Sequence, residues 1–271
     1  VLGQREHQGL IYYVSPLLEA AGVPHAFSTV VEDVRSPTAR DFALGSAADH
    51  PHPVGQAGLD ANYARLAQAC GLGRRLRLFV KQVHGSAVLH HAQGRRADGS
   101  NLELGEGDGI VTHDAATYAA VRGADCAMVL LADVSGKWVA AAHAGWRGAV
   151  AGVVVRTVQA MRAAGAGGEI VAAIGPCIGF QAMEIGPEVV AEFVKMPAAR
   201  GQLAAGRDGK GHVNLRGVLA AQLRGAGVGR IDVAEGCTVL SRLPDGSALF
   251  SSHRREGRMG RRLAGLIGPL A

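Results

Sequence analysis

Two short segments, Cys126 to Ala132 and Trp138 to His143, are almost wholly apolar and are bounded by Asp and Gly. Runs of that length with that punctuation read as buried strands. Around them the periodicity keeps changing. Leu76 to Val83, Ile110 to Thr112 and Glu169 to Ile174 read as further strands. Val150, Val153, Val154, Thr157, Val158 and Met161 recur at helical spacing, which predicts a helix over Ala149 to Ala164. Pro187 to Lys195 and Val213 to Leu223 also read as helices, with Pro187 in a first turn where its missing N–H is not needed. Glu32 to Ala61, Gly94 to Asp108 and Met196 to Gly211 lack a pattern and read as loops. Strands and helices mix along the whole length, so the expected class is α/β or α+β, with residues 1–271 forming one domain.

The 271 residues suffice for a sizeable core. A mean hydropathy of +0.14 is too apolar for a disordered chain. No uninterrupted apolar run approaches the roughly 18 residues that argue for a membrane span. Val1 to Gln8 is charged and lacks an apolar stretch followed by a small-residue cleavage site, so no secretory signal is expected and the expected location is cytoplasmic. The net charge of +5 rests on 24 arginines against 4 lysines. The densest cluster, Arg254, Arg255, Arg258, Arg261 and Arg262, has none of the interleaved aromatic residues that stacking on single strands requires. Small anionic substrates therefore fit the arginine excess better than nucleic acid does. Cys70, Cys126, Cys177 and Cys237 are widely spaced without a C-x-x-C pair, which argues against a disulfide framework. Each reads as a small buried apolar residue unless its neighbours say otherwise.

Three segments place a polar side chain at the end of an apolar strand beside glycine: Lys81-Gln82-Val83-His84-Gly85, Gly123-Ala124-Asp125-Cys126, and Ala142-His143-Ala144-Gly145-Trp146-Arg147-Gly148. Active sites of α/β proteins gather at such strand ends. His84, Cys126 and His143 are ligand types that zinc takes, and three protein ligands leave a fourth position for water or substrate. The same residues could instead form a Cys–His nucleophilic site, in which a histidine lowers the thiol pKa. Their separations of 42 and 17 residues do not distinguish the two. Arg147, behind Gly145 at a helix start, would add a forked donor to the free N–H groups there and suit phosphate or carboxylate. Gly175-Pro176-Cys177-Ile178-Gly179 follows another strand and reads as a second tight turn lining the site, with Cys177 structural.

Two other metal chemistries fail on ligand supply. The nucleoside-deaminase zinc signature needs P-C-x-x-C, whereas Pro176-Cys177 is followed by Ile178, Gly179 and Phe180. A multicopper oxidase needs many H-x-H pairs, and among 11 histidines only His50-Pro51-His52 has that form.

The segments from His25 to Ile267 resemble the purine nucleoside phosphorylase family whose members were earlier labelled polyphenol oxidases or laccase-domain proteins. The resemblance is strongest in K-Q-V-H-G, G-D-G-I-V-T (Gly107 to Thr112), A-D-C (Ala124 to Cys126) and H-A-G-W-R-G (His143 to Gly148). It continues through I-G-P-C-I-G (Ile174 to Gly179) and S-H-R-R-E-G with Gly260-Arg261. It implies a single-domain, layered α/β/β/α fold similar to the catalytic domain of cytotoxic necrotising factor toxins, with zinc on His84, Cys126 and His143. It also implies phosphorolysis of adenosine, inosine and methylthioadenosine, with adenosine deamination. Editing of peptidoglycan precursors and copper-dependent oxidation of phenols are further activities attributed to the family, and the motifs alone do not choose among these. The chain departs from the family pattern where Val30 replaces an arginine, Asp41-Phe42-Ala43 replaces Ser-Leu-Asn, Met183 replaces a tyrosine and Met259 replaces a threonine. The metal ligands are kept while the N-terminal substrate wall is altered, with Arg35 or Arg40 available to replace the missing guanidinium.

The leading expectation is a zinc-dependent purine nucleoside phosphorylase acting on a small nucleoside and phosphate. Arg147, Gln82 and Arg255 are its expected substrate- or phosphate-binding residues. Asp108 and Asp125 would handle protons beside Cys126 and His143, or orient His84 or His143. The rivals are a Cys–His amidase using Cys126 and His143 on peptidoglycan precursors, a copper-dependent polyphenol oxidase, and a non-catalytic protein that binds zinc and nucleoside.

Overall fold

The computed structural model describes residues 1–33, 42–45, 55–92, 101–257 and 261–271. The chain begins with β1 (Gly3–His7), β2 (Leu10–Val14), the short helix α1 (Pro16–Ala20) and β3 (His25–Ser28). Helix α2 (Gly55–Ala69) leads to β4 (Leu76–Lys81), β5 (Val88–His91), β6 (Leu102–Glu106), β7 (Gly109–Thr112) and β8 (Thr117–Gly123). Next come β9 (Ala127–Asp133), β10 (Val139–Ala144), α3 (Trp146–Val150), α4 (Val153–Ala164) and β11 (Ile170–Ile174). The remainder comprises β12 (Glu184–Ile185), α5 (Pro187–Val194), β13 (Leu203–Ala205), β14 (Gly211–Val213), α6 (Leu215–Gly225), β15 (Arg230–Val233), α7 (His253–Glu256) and β16 (Leu263–Ile267).

One sheet has the order β1-β2-β3-β16-β8-β4-β6 and a second the order β15-β11-β9-β10-β7-β5; β12, β14 and β13 make a small third sheet. Alternation along each strand assigns the layers. On β8, Ala119 and Val121 join a core shared with the second sheet, while Tyr118 and Ala120 join one with Tyr63, Leu66 and Ala67 of α2. On β9, Met128, Leu130 and Ala132 belong to the core between the sheets, and Ala127, Val129 and Leu131 pack with residues of α4 and α6. The layers are α/β/β/α. Covered on both faces, β9 and β10 carry no polar stripe, which is why they read as apolar runs.

Several expectations are corrected. The helix predicted over Ala149 to Ala164 is two helices, because Gly152 takes φ +75° and a left-handed residue ends a helix. Val213 closes β14, and α6 starts after Asn214, whose side chain accepts the Gly217 N–H at 3.2 Å. The loop readings of Gly94 to Asp108 and Met196 to Gly211 missed β6, β13 and the start of β14. Of the predicted loop Glu32 to Ala61, residues 34–41 and 46–54 lie outside the described residues, and from Gly55 onward the chain is helical. Among the described residues, no helix is long and apolar enough to cross a membrane.

Candidate metal centre

The second sheet brings Cys126 and His143 together because β9 and β10 are antiparallel, with His143 opposite Met128 and Ala144 opposite Ala127. Cys126 immediately precedes β9, so the start of one strand meets the end of the other. His143 shares the strand face of Val139 and Ala141, which points into the core between the sheets. The first sheet supplies His84 from the turn after β4. There the Gln82 side chain continues the pairing to β8 after the strand has ended: Nε2 donates to the Arg122 carbonyl at 2.7 Å, and Oε1 accepts the Arg122 N–H at 2.8 Å.

One donor atom from each of His84, Cys126 and His143 lies within 4.8 Å of the others. The two imidazole rings meet edge to face, with centroids 4.9 Å apart. A Cβ on Gly145 would stand 2.7 Å from Cys126 Sγ and 3.4 Å from His84 Cδ2, so only glycine leaves room for the thiol here. Asp108 lies beside His143 across the β7–β10 pairing and is fully buried. Its Oδ1 accepts the His143 Nδ1–H at 2.8 Å.

Burial opposes ionisation of the Cys126 thiol, but the facing His143 and hydrogen bonds from His143 and His84 draw its pKa down to about 6. Burial likewise opposes charge on His143, and the Cys126 thiolate with Asp108 outweighs it, raising His143 to about 9. Burial would push the Asp108 carboxyl up, yet hydrogen bonds from His143, Gly85 and Val83 hold it below the ordinary carboxylate value. A thiol ionised near neutrality and two imidazoles around one small space form a donor set that can hold a transition-metal ion with an open position. Among the described residues this is the one such cluster.

The other expected site residues are placed as follows. Asp125 has φ +80°, accepts the Thr238 hydroxyl at 2.6 Å on Oδ1 and the Arg254 N–H at 2.6 Å on Oδ2, and thereby ties the turn before Cys126 to the C-terminal segment. Arg147 is exposed, with its guanidinium 4.3 Å above the Trp146 ring. The helix start beside it belongs to the five residues of α3, so the dipole expected from a long helix is weak. Arg255 turns back on its own segment, donating to the carbonyls of Thr238, Val239 and Phe250 and to Glu256. Val30 and Ala43 are buried, and Asp41, Met259, Arg35 and Arg40 lie outside the described residues. Cys177 is buried and accepts the Arg216 Nε–H at 3.2 Å. The sequence reading missed Thr238 and Arg216. Arg216 also binds the carbonyls of Cys177, Ala234, Glu235 and Gly236, and neither residue lies in a periodic pattern that singles it out.

The family model described as multi-copper polyphenol oxidoreductase laccase matches residues 24–268. The chain belongs to that family. It is 37% identical over 256 residues to the purine nucleoside phosphorylase of Deinococcus radiodurans, covering 93% of this chain and 92% of that one. It is 40% identical over 233 residues to a purine nucleoside phosphorylase of Mycobacterium tuberculosis, covering 84% and 85%. The crystal structure of the Bacillus licheniformis hypothetical protein YfiH matches with a TM-score of 0.80 at 24% identity, covering 98% of this chain and 99% of that one, and so shares the fold.

Proposed function

We propose that this protein is a purine nucleoside phosphorylase with zinc held by His84, Cys126 and His143. The observation that carries the reading is the convergence of these three donors, from two sheets, in a chain closely related over its length to proteins named for that activity. Adenosine, inosine and methylthioadenosine are the proposed substrates, each giving the free base and a pentose 1-phosphate. A phosphate oxygen bonds to the anomeric carbon as the bond to the purine nitrogen breaks, and the base leaves with a proton. Zinc in this position supplies Lewis-acid polarisation of an oxygen. Arg147 is the proposed phosphate ligand: its guanidinium lies over the Trp146 ring and has no hydrogen bond to a described residue, so its N–H groups are open to a forked contact. Gln82 and Arg255 act through the turns they brace, at Arg122 and at Thr238 to Phe250. Deamination of adenosine, with water displacing the amino group, is a proposed side activity of the same site.

The alignment of Cys126, His143 and Asp108 also favours a second reading, in which the thiolate attacks an amide of a cell-wall precursor with His143 as acid–base partner. One experiment separates the two. The purified protein is incubated with adenosine, with and without phosphate, and the products are resolved by chromatography beside Cys126→Ala. Adenine and ribose 1-phosphate that require phosphate and disappear in the variant are the expected result. Inosine in both conditions would mean deamination alone. No product from intact zinc-loaded protein overturns phosphorolysis, and amide hydrolysis that survives chelation but not alkylation of Cys126 establishes the second reading.

A further inference from the structure

We propose that Asp108 is the positioning residue of this centre: one buried carboxylate sets the ring of His143 and the backbone of the His84 turn in their ligand geometry before any ion binds. The proposal rests on the metal-centre reading above for its effect on the ion.

Four donors converge on this side chain. Oδ1 accepts from His143 Nδ1 at 2.8 Å and from the His84 N–H at 3.0 Å. Oδ2 accepts from the Gly85 N–H at 2.7 Å and the Val83 N–H at 3.2 Å. A carboxylate has about four lone-pair positions, so all are engaged. With no exposed surface as well, Asp108 has no oxygen left to meet a substrate, and it works through the two histidines.

Each contact has a chemical consequence. A carboxylate only accepts, so Nδ1 of His143 carries a proton and Nε2 is the nitrogen left for an ion. His84 has φ +59°, a left-handed conformation that residues with a Cβ avoid. Three consecutive N–H groups gathered on one carboxylate compensate for that strain and aim the imidazole back at the centre. Asp108 is itself held by the sheet, its carbonyl accepting the His143 N–H at 2.7 Å and its N–H donating to Ala87 at 2.9 Å. The pairing that places His143 therefore places the group that orients it.

Because all four partners are donors, Asp108→Asn is not conservative: its amide NH2 must face either the Val83 and Gly85 N–H groups or those of His84 and His143. We would measure Zn2+ affinity by competition with a chromogenic chelator, and record the absorption of the Co2+-loaded protein, for wild type and Asp108→Asn. The expected result is a fall in affinity of about 10–100-fold with altered d–d bands, while the thiolate charge-transfer band from Cys126 persists. Affinity within twofold of wild type with an unchanged Co2+ spectrum overturns the proposal. Should the variant fail to fold, hydrogen exchange on metal-free wild type decides. Slow exchange of the Val83, His84 and Gly85 amides and of the His143 Nδ1 proton is expected, and exchange at open-loop rates overturns it. A wild type that takes up neither ion refutes the metal-centre reading, and the exchange result still judges the positioning role by itself.

Discussion

Cys126 and Cys70 show how neighbours set the behaviour of one thiol. Both are largely enclosed, and burial alone raises a thiol pKa. At Cys70 burial outweighs the backbone N–H groups and the Arg75 charge that oppose it, and the pKa stands at about 12. At Cys126 the two imidazoles reverse the sign. In chelator-treated protein, deprotonation of Cys126 as the pH rises through about 6 should bring its iodoacetamide reaction to half its plateau there, well below the ordinary cysteine value of about 8.5. Rates followed by peptide mapping between pH 5 and 9 test this, with Cys70 unreactive throughout as an internal control. A half-rise near 8.5 would show that the imidazoles do not stabilise the thiolate. The three candidate donors stood out in the sequence because each is an unusual side chain at a strand end beside glycine. Which role Asp108 takes was not, because its partners lie 23 to 35 positions away and three of them are backbone N–H groups.

Elements with a clear apolar pattern were legible, the four-residue β7 included, whereas the shortest strands and the weakly patterned α2 were not. The apolar positions of α4 recur over three turns, whereas β12 has two residues and β13 three, too few for any period to show. The break at Gly152 belongs to this scale. Apolar residues keep helical spacing across it, so periodicity hides it, and the backbone conformation of one glycine makes it. A Cβ there would meet no atom within 4 Å, so Gly152→Ala isolates the backbone cost. We expect a loss of about 1–2 kcal/mol in urea unfolding, with Zn2+ affinity unchanged. A neutral effect on stability would mean that α3 and α4 can join into one helix.

Across the whole molecule, the two sheets are locked by complementary large and small residues. Phe27 on β3 of the first sheet is fully buried, and its ring occupies the space where a Cβ on Gly175, just after β11 of the second sheet, would fall at 2.4 Å. The last strand, β16, enters the middle of the first sheet between β3 and β8, so both ends of the described chain pair within one sheet. Phe27→Ala opens a cavity between the sheets and should cost about 3–5 kcal/mol in denaturant unfolding, with Phe27→Leu costing less. Equal losses in the two variants would mean that packing volume at this contact is not what holds the sheets.

The sequence by itself determined the α/β class, the buried central strands, the three candidate donor types and the glycines beside them, because each depends on residues only a few positions apart. Only the tertiary structure decided which strands are neighbours, which face of β10 carries His143, and that side chains 42 and 17 positions apart share one small space. Those outcomes depend on how two twisted sheets bury their inner faces against each other, and that packing leaves no local period in the chain.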